Sequence, residues 1–186
     1  MKIGVLAVQG AFIEHENILK KLGVDCVEIR QKYDLDGIDG IILPGGESTV
    51  HGQLLRKLGL LAPLKEMINN GMPVLATCAG LILLSESIEN GEEPHIGTLP
   101  VVVKRNAYGR QLSSFVTNEN VRDIGEFPMV FIRAPYISSV SDNTKVLATV
   151  DGNIVGVQYN NQIGLSFHPE LTTDTRLHEE FLGLIK

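Results

Sequence analysis

The sequence predicts an α/β fold in which a mostly parallel, doubly wound sheet with flanking helices carries extra antiparallel strands in its second half. Three observations lead to this prediction. Up to about residue 84, apolar runs of strand length alternate with helical patterns, as expected where parallel strands are buried on both faces. Beyond that point, short strand-like runs follow one another with few helices between them. Turn sequences typical of hairpins, at residues 151–153 and 160–161, join some of these later runs.

The alternation is clearest in the first half of the chain. Its third predicted strand ends at Pro44-Gly45-Gly46, and its first predicted helix has one apolar face and is followed by Gly23. Predicted strands lie at residues 3–8, 24–29, 37–43 and 74–77, and predicted helices at 12–22, 47–58, 60–70 and 78–84. Strands that alternate with helices in this way favour a parallel sheet covered on both faces.

The second half contains a series of short predicted strands and one final helix. The strands lie at residues 99–103, 111–117, 128–132, 145–149, 154–158 and 162–167, and the helix at 173–185. No internal repeat and no long linker interrupts the pattern. We therefore expect a single domain over residues 1–186.

Composition and charge narrow the possible functions. Of 186 residues, 44% are hydrophobic and 20% are charged, the balance of an ordinary globular protein, and the formal net charge is −6. There is no Lys/Arg run of the kind that follows nucleic-acid phosphates. The apolar stretch at 74–84 is shorter than the ~18 residues that would span a bilayer, and the N-terminal apolar run is too short for a signal peptide. We predict binding to neither nucleic acid nor membrane.

The cysteines and histidines give no sign of a metal site. Cys26 and Cys78 are not a disulfide framework, although one bridge between them is possible on cysteine count alone, and a reduced, cytoplasmic setting is the simpler interpretation. Four histidines have no metal-ligand spacing with one another or with Cys26, and we interpret them as structural or solvated: His15, His51, His95 and His178. The sequence predicts no metal and no cofactor.

Cys78 is the first candidate for chemistry. It stands where a buried strand ends and a helix begins, next to the small residues Ala79 and Gly80. Such a turn lifts a nucleophile above the carboxyl edge of the sheet, and the helix N-terminus favours the thiolate form. The alternative is a buried structural cysteine, because free cysteine also behaves as a small hydrophobe.

A second candidate is the segment Phe167-His168-Pro169-Glu170 at the end of an apolar strand. Proline holds this segment stiffly, and alternation in an extended segment can place His168 and Glu170 on one face. A carboxylate beside an imidazole fixes its tautomer and leaves the other ring nitrogen free to move a proton. The alternative is a surface turn, but with Cys78 these residues complete a nucleophile–base–orienter set.

The loop at residues 44–48 and two arginines could form a ligand site. Glycines after a strand allow a close backbone approach, and their N–H groups could hold an oxyanion or a carboxylate. The loop lacks the lysine of a phosphate-binding loop, so nucleotide binding is poorly supported, and a tight turn is the alternative. Arg105 and Arg133 lie between or just after strands, where a guanidinium suits a ligand carboxylate.

Together these segments resemble the class I (triad) glutamine amidotransferases, and more narrowly their vitamin B6 branch, the glutaminase subunits of pyridoxal 5′-phosphate synthase. The resemblance covers nearly the whole chain in family order. Its stretches are GVLAVQGAFIEH (residues 4–15), LPGGEST (43–49), TCAGLILL (77–84), RNAYGRQ (105–111), VFIRAP (130–135) and SFHPELT (166–172). The stretches TCAG and HPE are shared broadly among triad glutaminases, whereas PGGEST, RNAYGRQ and FIRAP narrow the match.

The resemblance implies a fold, a reaction, a site and a partner. The fold would be flavodoxin-like, and the reaction would be hydrolysis of L-glutamine, with ammonia passed on to a synthase. Cys78 would be the nucleophile, His168 the base and Glu170 the orienting acid. The glutamine-binding residues would be Gly46, Glu47, Ser48, Arg105, Ile132 and Arg133, and the oxyanion donors the main-chain N–H groups of Gly46 and Ala79. The partner would be the synthase itself, a (β/α)8 barrel that assembles into a large ring with glutaminases docked outside.

Small departures and two other functions stay open at this point. Ala76 and Tyr108 stand where glycine and phenylalanine are common, and Tyr136 stands where histidine is frequent. One alternative is a triad glutaminase that serves another pathway, such as histidine or guanine-nucleotide synthesis. The other is a non-catalytic regulatory subunit of the same fold, against which the intact Cys78, His168 and Glu170 argue. A thiol protease is disfavoured, because the PGGEST and RNAYGRQ stretches suit a small amino-acid ligand.

Overall fold

The described chain, seen in a computed structural model, covers residues 1–106 and 114–186. Residues 107–113 lie outside it, and with them Tyr108 and the beginning of the strand predicted at 111–117. In the first half the strands are β1 Lys2–Leu6, β2 Asp25–Ile29, β3 Gly40–Leu43, β4 Val74–Thr77 and β5 Ser85–Ile88, and the helices are α1 Phe12–Lys21, α2 Ser48–Lys57, α3 Leu61–Asn69 and α4 Ala79–Leu84.

The second half is richer in strands. These are β6 Leu99–Lys104, β7 Ser114–Val121, β8 Gly125–Ile132, β9 Tyr136–Val140, β10 Lys145–Val150, β11 Asn153–Tyr159 and β12 Gln162–Leu165, followed by the helix α5 Arg176–Gly183. Short 3-10 helices cover Lys32–Leu35 and Pro169–Leu171. The predicted hairpin turns are present, since Asp151 and Gly152 join β10 to β11 with positive φ angles, and Asn160 lies in the turn from β11 to β12.

One ten-stranded sheet organises these elements. Its order is β2-β1-β3-β4-β12-β11-β9-β6-β5, with β10 also paired to β11, while β7 and β8 form a separate hairpin. The strands β2, β1, β3, β4 and β12 are parallel to their neighbours in that order. From β12 to β6 the pairing is antiparallel. The predicted α/β fold with antiparallel strands added in the second half is confirmed.

Apolar side chains bury both faces of the sheet. In β1, β3 and β4 successive residues belong to different apolar clusters, as the alternation of side chains along a strand requires. Helices α2, α3 and α4 cover one face with Leu55, Leu64 and Leu81. Helices α1 and α5 and the β7–β8 hairpin cover the other. This double burial explains why the strands are nearly continuous apolar runs.

The differences from the predicted elements are local. The strands β5 and β9 and both 3-10 helices were not predicted, whereas most other boundaries shift by one to three residues. Strand β5 follows α4 without a turn, and only the first and last of its four residues are buried, so its sequence has no alternating pattern. Its pairing with β6 makes it a strand. Within the described residues, no helix is long and apolar enough to cross a membrane.

Candidate active site

Cys78 occupies a sharp turn between β4 and α4. Its backbone has φ 49° and ψ −102°, a left-handed conformation that is unusual for a residue with a side chain. The Cys78 N–H donates to the carbonyl of Leu165 in β12 at 2.8 Å, which fixes the turn to the neighbouring parallel strand. The thiol is buried, and Sγ lies 3.9 Å from the carbonyl oxygen of Ile132. This is the strand–turn–helix geometry that presents a nucleophile at a sheet edge.

His168 comes to the same edge because β4 and β12 are parallel and in register, with Thr77 opposite Leu165. The alignment of His168 with Glu170 was expected from an extended segment. Instead, Pro169–Leu171 form a 3-10 turn, and that turn brings the Glu170 carboxylate back beneath the imidazole. His168 Nδ1 donates to Glu170 Oε1 at 2.7 Å. The other ring nitrogen, Nε2, is thereby left to face the cysteine.

The electrostatics favour a charged His168. Burial alone would lower the pKa of this imidazole, but its hydrogen bonds to the Cys78 and Glu170 side chains and their negative charges outweigh burial and raise the pKa to about 10. Burial by itself would also raise the pKa of Glu170, yet the neighbouring His15 and His168 rings lower it well below its usual range. The arrangement therefore suits an imidazolium at His168 that is paired with the Glu170 carboxylate.

Glu170 has further partners that are distant from it in sequence. His15 Nε2 lies 3.5 Å from Glu170 Oε1, and the Thr77 hydroxyl donates to the same oxygen at 3.4 Å. His15 Nδ1 in turn lies 2.9 Å from His178 Nε2. Both of these histidines are fully buried. They belong to α1 and α5, which meet beneath the site, and no short spacing in the sequence relates them.

The glycine loop after β3 forms the opposite wall. Gly45 lies so close to the ring of His168 that an added Cβ would overlap its Cε1 atom, so no larger residue fits there. The Gly45 carbonyl accepts from the N–H of Ala11 at 3.1 Å. The Glu47 N–H donates to Gln9 Oε1 at 3.0 Å. The turn after β1 thus holds the loop from outside, a role that only the packing of β1 against β3 reveals.

The predicted glutamine-binding residues lie along one side of the same cleft. The Glu47 carboxylate caps α2 by accepting from the Val50 N–H at 2.9 Å, and Arg105 Nη2 donates to Glu47 Oε1 at 3.1 Å. A second carboxylate, that of Glu92, holds Arg105 Nη1 at 2.6 Å. Arg133 is exposed at the end of β8 and has a φ of 44°.

A cavity of about 490 Å³ unites these groups, and it is the right size for a small amino acid. Every sequence-predicted site residue except Glu170, which lies behind His168, lines it: Gly46, Glu47, Ser48, Cys78, Ala79, Arg105, Ile132, Arg133 and His168. The lining residues that sequence reasoning did not name as site residues are Gln9, Ala11, Gly45, Ile82 and Asn106. All five lie within the stretches that carry the family resemblance, namely residues 4–15, 43–49, 77–84 and 105–111.

Comparison with known proteins identifies the class. The sequence matches the SNO glutamine amidotransferase family over residues 5–185. It is 61% identical over 186 residues to the pyridoxal 5′-phosphate synthase subunit PdxT of Desulfitobacterium hafniense, covering 100% of this chain and 94% of that protein. It is 52% identical over 190 residues to PdxT of Streptococcus pneumoniae, covering 100% of this chain and 98% of that one.

Solved structures agree with this result. A crystal structure of a glutamine amidotransferase superposes with a TM-score of 0.94 at 42% identity, over 98% of this chain and 97% of that one. The structure of PurLQS from Thermotoga maritima shares the fold, with a TM-score of 0.73 at 17% identity over 99% and 96% of the two chains. This chain belongs to the SNO glutamine amidotransferase family. The prediction of a glutaminase from the vitamin B6 branch of the class I amidotransferases is thereby confirmed.

Proposed function

We propose that this chain is the glutaminase subunit of a pyridoxal 5′-phosphate synthase and that Cys78, His168 and Glu170 hydrolyse L-glutamine. The observation that carries the proposal is the meeting of these three side chains at one edge of the sheet, from residues far apart in sequence, beside a cavity of about 490 Å³. The names of the relatives, which are synthase subunits, support the assignment to this pathway.

Hydrolysis proceeds in two halves. The Cys78 thiolate attacks the side-chain amide carbon of glutamine, and the main-chain N–H groups of Gly46 and Ala79 stabilise the oxyanion. The His168 imidazolium protonates the departing nitrogen from Nε2, so ammonia leaves and a thioester remains. A water molecule then gives a proton to His168 as it attacks the thioester, which releases glutamate and regenerates the thiolate. Glu170 keeps the imidazole in the required tautomer throughout.

The cavity wall provides complementary charges for the amino-acid end of glutamine. Arg105 and Arg133 supply guanidinium groups for the α-carboxylate, and Glu47 supplies a carboxylate for the α-ammonium group. In the structure Arg105 bridges Glu47 and Glu92, both exposed at the mouth of the cleft. When the glutamine carboxylate binds, it accepts some of the Arg105 hydrogen bonds that Glu47 and Glu92 accept in its absence. Ser48 and Ile132 complete the walls.

The chemistry of the product, ammonia, indicates that this chain works with a partner enzyme. Ammonia released into water at neutral pH is protonated and loses its nucleophilicity, so an acceptor enzyme must receive it directly. We infer that the acceptor is a (β/α)8-barrel synthase subunit in a ring-shaped complex, docked near the turn after β1. A reducing, cytoplasmic location suits this chemistry, and both cysteines are free thiols in the structure.

Replacement of the nucleophile tests the triad. Cys78→Ala and Cys78→Ser are expected to abolish glutamate release from glutamine and to leave the circular dichroism spectrum and partner binding unchanged. Cys26→Ser is the matched control, because Cys26 lies in β2 outside the cavity, and it should retain wild-type turnover. Normal glutaminase turnover by Cys78→Ala would refute the proposed triad.

Reconstitution tests the partner. The chain is mixed with a candidate synthase, the complex is isolated by size exclusion, and ammonia is measured with glutamine supplied. We expect weak glutaminase activity from the isolated chain, strong stimulation of that activity by the synthase, and pyridoxal phosphate formation by the complex. Binding instead to the synthase of a histidine or guanine-nucleotide pathway, or equal rates with and without any partner, would contradict the assignment.

A further inference from the structure

Two buried histidines lie behind the proposed triad on its protein side. His15, from α1, and His178, from α5, are 163 residues apart in sequence and both have zero exposure. Together with Glu170 they form a continuous line of polar atoms. The line runs from Glu170 Oε1 to His15 Nε2 at 3.5 Å and from His15 Nδ1 to His178 Nε2 at 2.9 Å. The mechanism described above uses neither of them.

The chemistry of the partners fixes the orientation of the hydrogen bonds. An ionised carboxylate only accepts, and the Thr77 hydroxyl, 3.4 Å from His15 Nε2, already donates its hydrogen to Glu170, so His15 Nε2 must carry a hydrogen in order to face both. His15 Nδ1 then accepts a hydrogen bond from His178 Nε2–H at 2.9 Å. His178 Nδ1, which has no hydrogen-bond partner among the described residues, is left as a bare acceptor. The reverse orientation would bury an unpaired N–H donor there, and such donors are rare in folded proteins.

Packing alone is a poor explanation of this pair. Two buried imidazoles lose hydration that two leucines would not lose, and one nitrogen of His178 remains unpaired among the described residues. Burial, and then the neighbouring His15, lower the pKa of His178 to about 3, so this ring stays neutral and cannot act as a counter-ion. The favourable contacts that offset these losses are those of His15 Nε2, which lies 3.5 Å from Glu170 Oε1 and 3.4 Å from the Thr77 hydroxyl.

Glu170 needs such a contact because of its own geometry. The Oε1 atom serves His168, Thr77 and His15, whereas Oε2 is buried with no partner among the described residues. The terminal torsion of the carboxylate is therefore fixed through Oε1 alone, and His15 is one of the three groups that hold this atom. Rotation would move the acceptor away from His168 and release its tautomer.

We propose that His15 is a positioning residue for the glutaminase reaction, which holds the Glu170 carboxylate in place through Nε2–H while His178 fixes the tautomer of His15. The proposal rests on the proposed triad. It adds two residues to the set that controls the orientation of His168, although neither touches glutamine or the cavity.

Variants of His15 separate orientation from packing. His15→Leu removes the donor, and partners that orient a functional group typically contribute about 10–100-fold in activity, so we expect a fall in kcat of that order with KM unchanged. In His15→Gln the amide nitrogen stands at the position of Nε2 and is expected to recover most of the lost kcat. His15→Asn, whose amide is too short to reach Glu170, is not. Likewise His178→Leu should lower kcat and His178→Gln should restore it.

A second measurement reports on the thiol without glutamine or a synthase. In a Cys26→Ser background Cys78 is the only cysteine, so its alkylation by iodoacetamide at pH 7.5 follows the imidazolium–thiolate pair. We expect slower alkylation for His15→Leu and near wild-type alkylation for His15→Gln. Leu177→Ala, a buried change next to His178 on α5, is the control: it should lower the melting temperature and leave both kcat and alkylation unchanged.

The outcomes are decisive in either direction. Folded His15→Leu with wild-type kcat and alkylation overturns the proposal, and so does His15→Gln that is as impaired as His15→Leu. Should His15→Leu fail to fold, the comparison of His15→Gln with His15→Asn takes its place, and equal kcat values overturn the proposal. Normal turnover by Cys78→Ala would refute the triad itself, whereas inactive Cys78→Ala with unaffected His15→Leu refutes only the positioning role.

Discussion

At the scale of single residues, the burial of Glu170 has consequences beyond catalysis. The side chain is fully buried, and its charge is stabilised by histidine rings instead of water. A carboxylate whose pKa is lowered on folding contributes stability above its unfolded pKa of about 4.3, and that contribution is lost as the pH falls. His168 acts in the opposite sense. Its raised pKa of about 10 contributes stability below about 6.5, which is lost as the pH rises through 10.

We therefore expect Glu170→Gln to show a pH-dependent loss of stability. At pH 7 the variant should lose on the order of 3 kcal/mol in free energy of unfolding, because the imidazolium of His168 is left without its buried partner. The difference in free energy of unfolding from wild type should shrink as the pH falls from about 5 towards 3, because the ionised carboxylate of wild-type Glu170 contributes less to stability there. Urea denaturation at a series of pH values measures this. A difference that stays constant across the range would mean that Glu170 is not held ionised by its neighbours.

The reactive residues could be predicted from the sequence better than the residues that hold them. Cys78 follows a buried strand and His168 follows another, so parallel pairing alone brings both to one edge. The role of His15 depends on how α1 and α5 pack against the sheet, and no local pattern encodes that contact. Gln9 is similar, since its hydrogen bond to the loop after β3 exists only because β1 and β3 are neighbours.

At the scale of elements, the site depends on the close approach of α4 to β3. The backbone of α4 passes so near to the carbonyl of Leu43 that an added Cβ at Gly80 would overlap it. A glycine inside a helix costs up to about 1 kcal/mol relative to alanine. We infer that the close contact between α4 and β3, which only glycine permits, stabilises the fold by more than this cost. Because Gly80 is two residues after Cys78, this contact positions the turn that carries Cys78 at the edge of the sheet.

Gly80→Ala and Gly183→Ala should therefore have opposite effects. Gly80→Ala is expected to destabilise the fold by about 1–3 kcal/mol through overpacking and to lower glutaminase activity by displacing Cys78. Gly183→Ala is the matched control, because Gly183 ends α5 with open space around its Cβ position, and it should leave stability equal or raise it by up to about 1 kcal/mol. Thermal unfolding and glutamate release measure both effects. Equal, small effects at the two positions would show that the contact with β3 is dispensable.

Elements with a local sequence pattern could be predicted from the sequence. Elements that form only because they pair or pack with distant parts of the chain could not. The hairpin turn at Asp151-Gly152 requires positive φ at both positions, a demand visible in the residues themselves. Strand β9 begins after Pro135, is only five residues long and buries little of its length, so its existence depends on its neighbours β6 and β11. The 3-10 turn at Pro169–Leu171 likewise depends on the packing of α1 beneath it, since α1 supplies His15 to Glu170.

At the scale of the whole molecule, the site is assembled from both apolar clusters. The cluster under α2, α3 and α4 supports the turn that carries Cys78, whereas the cluster under α1, α5 and the β7–β8 hairpin supports His168 and the residues at the end of β8. The strands β1, β3 and β4 contribute side chains to both clusters. Loss of packing on either face therefore destabilises the strands that the two faces share.

We predict that residues 1–186 unfold as one cooperative unit. Urea transitions followed by far-ultraviolet circular dichroism and by the fluorescence of the 4 tyrosines should coincide, since there is no tryptophan to dominate the signal. Leu64→Ala on one face of the sheet and Leu177→Ala on the other each empty a fully buried position, and each should cost about 2–5 kcal/mol. Because both clusters share the same strands, each substitution should move the single transition to lower urea without splitting it. Two separated transitions, or a variant that shifts only one probe, would show that the two faces are independent units and that the single-domain prediction is wrong.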